Sequence, residues 1–124
     1  MKLNSFRLRI VFAVMIASAL SAFALAHTHL EKTEPADGAV LTAAPSHVEL
    51  WFNEKPDLTV SKITVAGSSG AVAVGPTHSM SDKSMMADIK THLSDGNYVV
   101  SWQAAGDDGH VSKGEFKFSV KAAH

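Results

Sequence analysis

From residue 47 onward the chain alternates apolar and polar positions. In "HVELWF" (47–52), Val48, Leu50 and Phe52 share one face and His47, Glu49 and Trp51 the other, the period-two pattern of a half-buried strand. "YVVSWQA" (98–104) alternates again, and "GEFKFSVK" (114–121) sets Phe116, Phe118 and Val120 on one face with lysines between them. "SKITVAG" and "AVAVG" read as two more strands split by the turn "GSSG" (67–70), and "HLEKT" as a short extended piece before the turn "PADG" (35–38). "SMMADIK" (84–90) is a further candidate strand, although the longer window "MSDKSMMADIK" also admits a helical period. Short alternating strands with turn signals about every ten residues predict an all-β fold, an antiparallel sandwich of about seven strands. "LSDGNY" agrees: a Gly two residues before Tyr98, at a strand start, resembles the tyrosine corner of Greek-key sandwiches.

The first 26 residues follow another pattern. Lys2, Arg7 and Arg9 precede the uncharged run Ile10 to Ala26, 17 residues long. A basic start, an apolar stretch and a small-x-small ending describe a secretory signal peptide, residues 1–26. The run lies at the lower limit for spanning a bilayer, so an uncleaved anchor is the alternative. Cleavage after Ala24-Leu25-Ala26 makes His27 the first residue; cleavage after Ala22-Phe23-Ala24 leaves Leu25 first. The leader's own pattern fits both cuts.

Residues 27–124 suffice for one small domain with a single core. They keep eight lysines and no arginine against twelve acids, a formal charge near −4. That balance lacks the basic stripe of a nucleic-acid binder, and a monomer is expected. The chain has no cysteine, hence neither a disulfide nor a thiolate for a metal. All seven histidines lie in this part, and they are its chemical resource.

"AAGDDGHVSKG" joins the last two long strands. Asp-Gly is a common hairpin turn, but it does not account for His110 directly after it. Asp108 and His110 are two apart, and an extended backbone points both to one side. They supply one carboxylate oxygen and one imidazole nitrogen, half of a four-donor site; a solvated turn carrying a surface histidine is the competing reading. A terminal His27 adds a free α-amine and its own imidazole, which chelate one ion together. Three nitrogens and one oxygen without sulfur suit tetragonal Cu(II), which tops the divalent affinity order. Zn(II) could use the same groups but prefers tetrahedral geometry. On this reading the cut after Ala26 creates a ligand, and the cut after Ala24 hides it behind two residues.

Over nearly the whole of 27–124 the chain resembles the periplasmic copper-resistance proteins of the CopC/PcoC type, including the YobA-like members. The resemblance rests on "HTHLEKTEPADGAVLTAAP", on "WFNE" (51–54) with Asn53 where the family usually has Ser, on "GNYVVSW" and on "DGHVSKGEFKFSV". It implies an Ig-like Greek-key β-sandwich that is not an enzyme and binds one Cu(II) per chain in the periplasm. His27, Asp108 and His110 stand at the family's ligand positions. Glu54 matches the acid of the family's F-x-E step, a candidate for orienting a ligand histidine; an ordinary strand-end carboxylate is the other reading. The expected role is copper homeostasis or resistance, as carrier or buffer. An inner-membrane copper transporter or another periplasmic copper protein is the implied partner.

Two features depart from a simple transfer. Many relatives hold Cu(I) through a Met-rich loop, but here Ala66 to Ala71 offers only Gly, Ser and Ala. Met80, Met85 and Met86 come later, and in an alternating strand one of the adjacent pair faces the core. They are therefore read as structural, and no separate Cu(I) site is expected. With His27 first, His29 occupies the third position, where a free amine and a third-position His can take Cu(II) through backbone amides if the terminus is flexible. In an extended strand His29 lies on the same side as His27, as a neighbour or an extra ligand. His47, His78, His92 and His124 have no spacing partner and are read as surface residues. Two rival functions remain: a small copper-dependent oxidative enzyme of the N-terminal-His type, such as the lytic polysaccharide monooxygenases, and a membrane-tethered copper-delivery protein.

Overall fold

The structure is a computed structural model and describes residues 28–122; the leader, His27 and His124 lie outside the described residues. The alternating segments form β-strands in chain order: β1 (Leu30–Glu34), β2 (Ala39–Leu41), β3 (His47–Phe52), β4 (Lys62–Gly67), β5 (Gly70–Val72), β6 (Ser84–Asp88), β7 (Gly96–Ala105) and β8 (Val111–Val120). They build two sheets, β1-β3-β6 and β2-β8-β7-β4-β5. This is the expected β-sandwich, with eight strands among the described residues where the pattern indicated about seven. The extra strand is β2, three residues too short to show a period. Its pairing also breaks the antiparallel rule, because Ala39, Val40 and Leu41 run parallel to Phe118, Ser119 and Val120 of β8.

The core is what the alternation marks. Val48, Leu50 and Phe52 of β3 and Met85 and Ala87 of β6 face Ile63, Val65, Val100, Phe116, Phe118 and Val120 of the larger sheet, all at most 4% exposed. Burying an aliphatic or aromatic side chain of this size contributes roughly 1.5–3 kcal/mol, so facing pairs of β-branched and aromatic residues fix which face of each strand turns inward. The helical period over 80–90 does not prevail. Pairing Leu50 with Met85 and Val48 with Ala87 across β3 and β6 buries side chains that a helix would spread around its circumference. The tyrosine corner forms: Tyr98 Oη donates to Ser94 O at 2.6 Å, and its ring stacks on Phe118 at 5.4 Å.

Three segments meet at one end of the sandwich. β7 and β8 pair from Gly96↔Val120 to Ala105↔Val111, which holds the turn 106–110 at that end. β1 runs antiparallel to β3, so residues 28 and 29 arrive where β3 ends, at Asn53 and Glu54. The loop after β3 is tied there as well. Asp57 N donates to Ala105 O at 2.8 Å, Ala105 N donates to Ser61 Oγ at 3.2 Å, and Gln103 Nε2 donates to Val60 O at 2.9 Å.

Candidate metal centre

The described part of the site is built around Thr28. The residue is 3% exposed, and a buried hydroxyl needs a partner to offset lost water. Oγ1 donates to Glu54 Oε1 at 2.6 Å, and the Thr28 carbonyl accepts from Ser112 Oγ at 3.1 Å. Gly106 makes room for this arrangement. A Cβ there would collide with the Glu54 carboxylate and lie 2.7 Å from Thr28 Oγ1. Glu54 thus bonds the residue next to His27, and its described partner is a threonine hydroxyl rather than an imidazole.

Asn53 grips the next residue. His29 N donates to Asn53 Oδ1 at 2.6 Å, and Asn53 N donates to His29 O at 3.0 Å. The β1–β3 ladder then begins at Leu30↔Phe52 and shifts register before Lys32↔Trp51. The backbone of His29 is therefore engaged on β3, while the residue itself is exposed.

Asp108 and His110 do come together, but by a different route from the extended backbone that the spacing suggested. They sit in a turn in which Gly109 N donates to Gly106 O at 3.1 Å. Gly109 takes φ +75°, a left-handed conformation that glycine adopts without steric cost. Asp108 Oδ1 accepts from His110 N at 3.1 Å, and Oδ2 lies 3.3 Å from His110 Nδ1. The carboxylate thereby closes its own turn, as Asp commonly does two residues ahead. The His110 side chain is 72% exposed and that of Asp108 28%, so the imidazole is presented at the surface beside a half-covered carboxylate. Next to the turn, Lys55, Pro56, Asp57, Leu58, Gly106, Asp107 and Gly109 line an open groove of about 560 Å³. Hydrogen bonds from the Thr59 hydroxyl and amide hold the Asp57 carboxyl below its ordinary value of 3.8.

Among the described residues, no three His, Asp or Glu side chains gather closely enough to hold a metal ion. Asp108 and His110 are the two expected donors that the described residues bring together, and His27, the expected source of the rest, lies outside the described residues. His47, His78 and His92 join no cluster of three metal-binding side chains among the described residues. His92 is exposed, whereas His47 and His78 are half-buried rather than free surface residues; His47 Nδ1 lies 3.3 Å from Ser46 Oγ, and His78 Nδ1 3.2 Å from Pro76 O. Met80 is 71% exposed, but Met85 and Met86 are both buried, at 0% and 8%. Thus the strand buries both adjacent methionines where alternation required only one.

Thr28, Gly106 and Ser112 carry no expectation from the sequence, and Asn53 stands out there only as a departure from Ser. A threonine between two histidines and a glycine before two aspartates were visible signals. Ser112 gave none, because its partner lies 84 residues away.

Known proteins share this architecture. The CopC domain family model matches residues 30–121. The chain is 31% identical to Protein YobA of Escherichia coli K12, over 92% of this chain and 94% of that one. It is 34% identical to Copper resistance protein C of Xanthomonas campestris pv. juglandis, over 94% and 98%. The crystal structure of PcoC, a methionine-rich copper resistance protein from Escherichia coli, superposes with a TM-score of 0.72 at 28% identity, covering 77% of this chain and all of that one. With the family model spanning every strand from β1 to β8, the chain belongs to the CopC family.

Proposed function

We propose that this protein is an exported copper carrier or buffer that holds one Cu(II) in the periplasm. The α-amine and imidazole of a terminal His27, the Asp108 carboxylate and the His110 imidazole are the donors. One observation carries the reading. Thr28 is fixed by Glu54 and Ser112, and Ser112 is only two residues beyond His110. Successive Cα atoms across a trans peptide are about 3.8 Å apart, so a residue joined to Thr28 starts within reach of the Asp108–His110 turn. The donor chemistry agrees, since three nitrogens and an oxygen without sulfur match Cu(II). The relatives' names, copper resistance proteins and a copper transport protein, support a role in handling copper rather than glycan oxidation. Glu54 serves the site by holding Thr28, and through it the terminus. Residues 1–26 act as the signal peptide, and copper passes to or from a transporter or another periplasmic copper protein.

The test is made on protein recovered from the periplasm, its first residue read by intact mass. A Gly placed before His27 displaces the amine from its chelate, and Cu(II) affinity should fall by orders of magnitude while the fold survives. His110→Ala should weaken binding and change the visible spectrum; Asp108→Asn should weaken it less. A Gly-extended form that binds as tightly as the native one would sink the proposal.

A further inference from the structure

The first three residues of the exported chain, His27-Thr28-His29, could compete with the site just described. In a flexible peptide, a free amine and a third-position histidine wrap Cu(II) in one plane. The four donors are the amine, the amide nitrogens of the second and third residues, and the third imidazole. That mode needs the His29 amide nitrogen as a donor and a segment able to curl around the ion.

The structure opposes both requirements. The His29 amide hydrogen is directed at Asn53 Oδ1, 2.6 Å away, and the His29 carbonyl takes the Asn53 amide at 3.0 Å. Thr28 is buried, its hydroxyl on Glu54 and its carbonyl on Ser112. Leu30 already pairs with Phe52 in the β1–β3 ladder. Curling residues 27–29 around an ion would break the Asn53 contacts and draw Thr28 out of its niche. We propose that Asn53, supported by the bonds from Thr28 to Glu54 and Ser112, sets the coordination mode: it withholds the His29 amide and so reserves Cu(II) for donors on the β7–β8 turn. This rests on the site proposed above. Asn53 and Thr28 are positioning residues here, because they act through the backbone and not on the ion. The functional gain is that copper occupancy is coupled to the folded sandwich instead of to a tripeptide that would hold the ion whether or not the sandwich is folded.

The experiment removes the turn's nitrogen donor and asks whether the terminus takes over. In exported protein, His110→Ala alone should bind Cu(II) weakly, with a smaller spectral dependence on His29 than the double variant described next. Adding Asn53→Val should restore affinity by roughly fivefold or more, about what one net hydrogen bond is worth. The bound copper should then show the violet, higher-energy absorption of amide coordination, and a further His29→Ala should abolish it. Asn53→Asp in the same background keeps an acceptor for the His29 amide and should not restore binding. Circular dichroism checks the fold; if Asn53→Val does not fold, Asn53→Ala, which also lacks the acceptor, takes its place with the same expectation. Two results overturn the inference: an amide spectrum in the His110→Ala single variant as strong as in the double variant, or no gain when Asn53 is replaced. If His110→Ala leaves the spectrum and affinity of the native protein unchanged, the site assignment itself has failed, which is a separate outcome.

Discussion

Gly106 is the position where one added methyl group would meet the site most directly. Its Cα hydrogen faces the Glu54 carboxylate and the Thr28 hydroxyl at distances that leave no room for a Cβ. Gly106→Ala must therefore push Glu54 or Thr28 aside. Overpacking of this kind costs typically about 1–3 kcal/mol, and each kcal/mol lowers the melting temperature of a domain this size by about 4–8 °C. Thermal denaturation should show that loss, and calorimetry should show weaker Cu(II) binding alongside it. A melting temperature and affinity equal to the native values would mean that the Thr28–Glu54 contact does not support the site. Asp108 and His110 are legible at this scale because their relation is local: the carboxylate reaches a backbone amide two residues ahead with little help from the fold. The Thr28 contacts are not legible, since they join residues 26 and 84 positions apart.

At the scale of the element, β6 decides what the methionines can do. Met85 lies in the core opposite Leu50, and Met86 is buried at a position whose backbone pairs with His78 on the strand's other edge. Adjacent residues of a strand point to opposite faces, so their sulfurs diverge, and both are covered by protein. Met85→Ala should destabilise the domain by about 2–5 kcal/mol, while exposed Met80→Ala should stay within about 0.5 kcal/mol of the native protein. Urea titration of the two variants measures the contrast. Soft Cu(I) wants several converging thioethers, which this strand does not provide without unravelling. Replacing Met80, Met85 and Met86 together by Leu should then barely change copper binding in either oxidation state. Tight Cu(I) binding lost in that triple variant would make the protein a carrier of both states. The sequence offered this strand only as a candidate beside a helical period, and pairing with β3 decided it; the short β2 was not readable, because three residues carry no period and it is seated by parallel pairing along β8.

For the whole molecule, copper should act as a clamp between the chain's beginning and the β7–β8 turn. A ligand that binds only the folded state stabilises it by an amount set by its concentration over Kd, about 2.7 kcal/mol at a hundredfold excess over Kd. Adding Cu(II) should raise the melting temperature of exported protein. In the Gly-extended form the rise should be much smaller, and an equal rise in both would place copper away from the terminus. The sequence alone determined the β-sandwich class, the inward face of each long strand, the tyrosine corner and the Asp108–His110 pair, because each follows from a period of two or a contact within a few residues. Tertiary structure alone decided the parallel seat of β2, the burial of both Met85 and Met86, and the meeting of residues 28–29 with Asn53, Glu54, Gly106 and Ser112. Those features depend on which strands the hydrophobic faces bring together, and packing between segments distant in the chain leaves no periodic trace in any one of them.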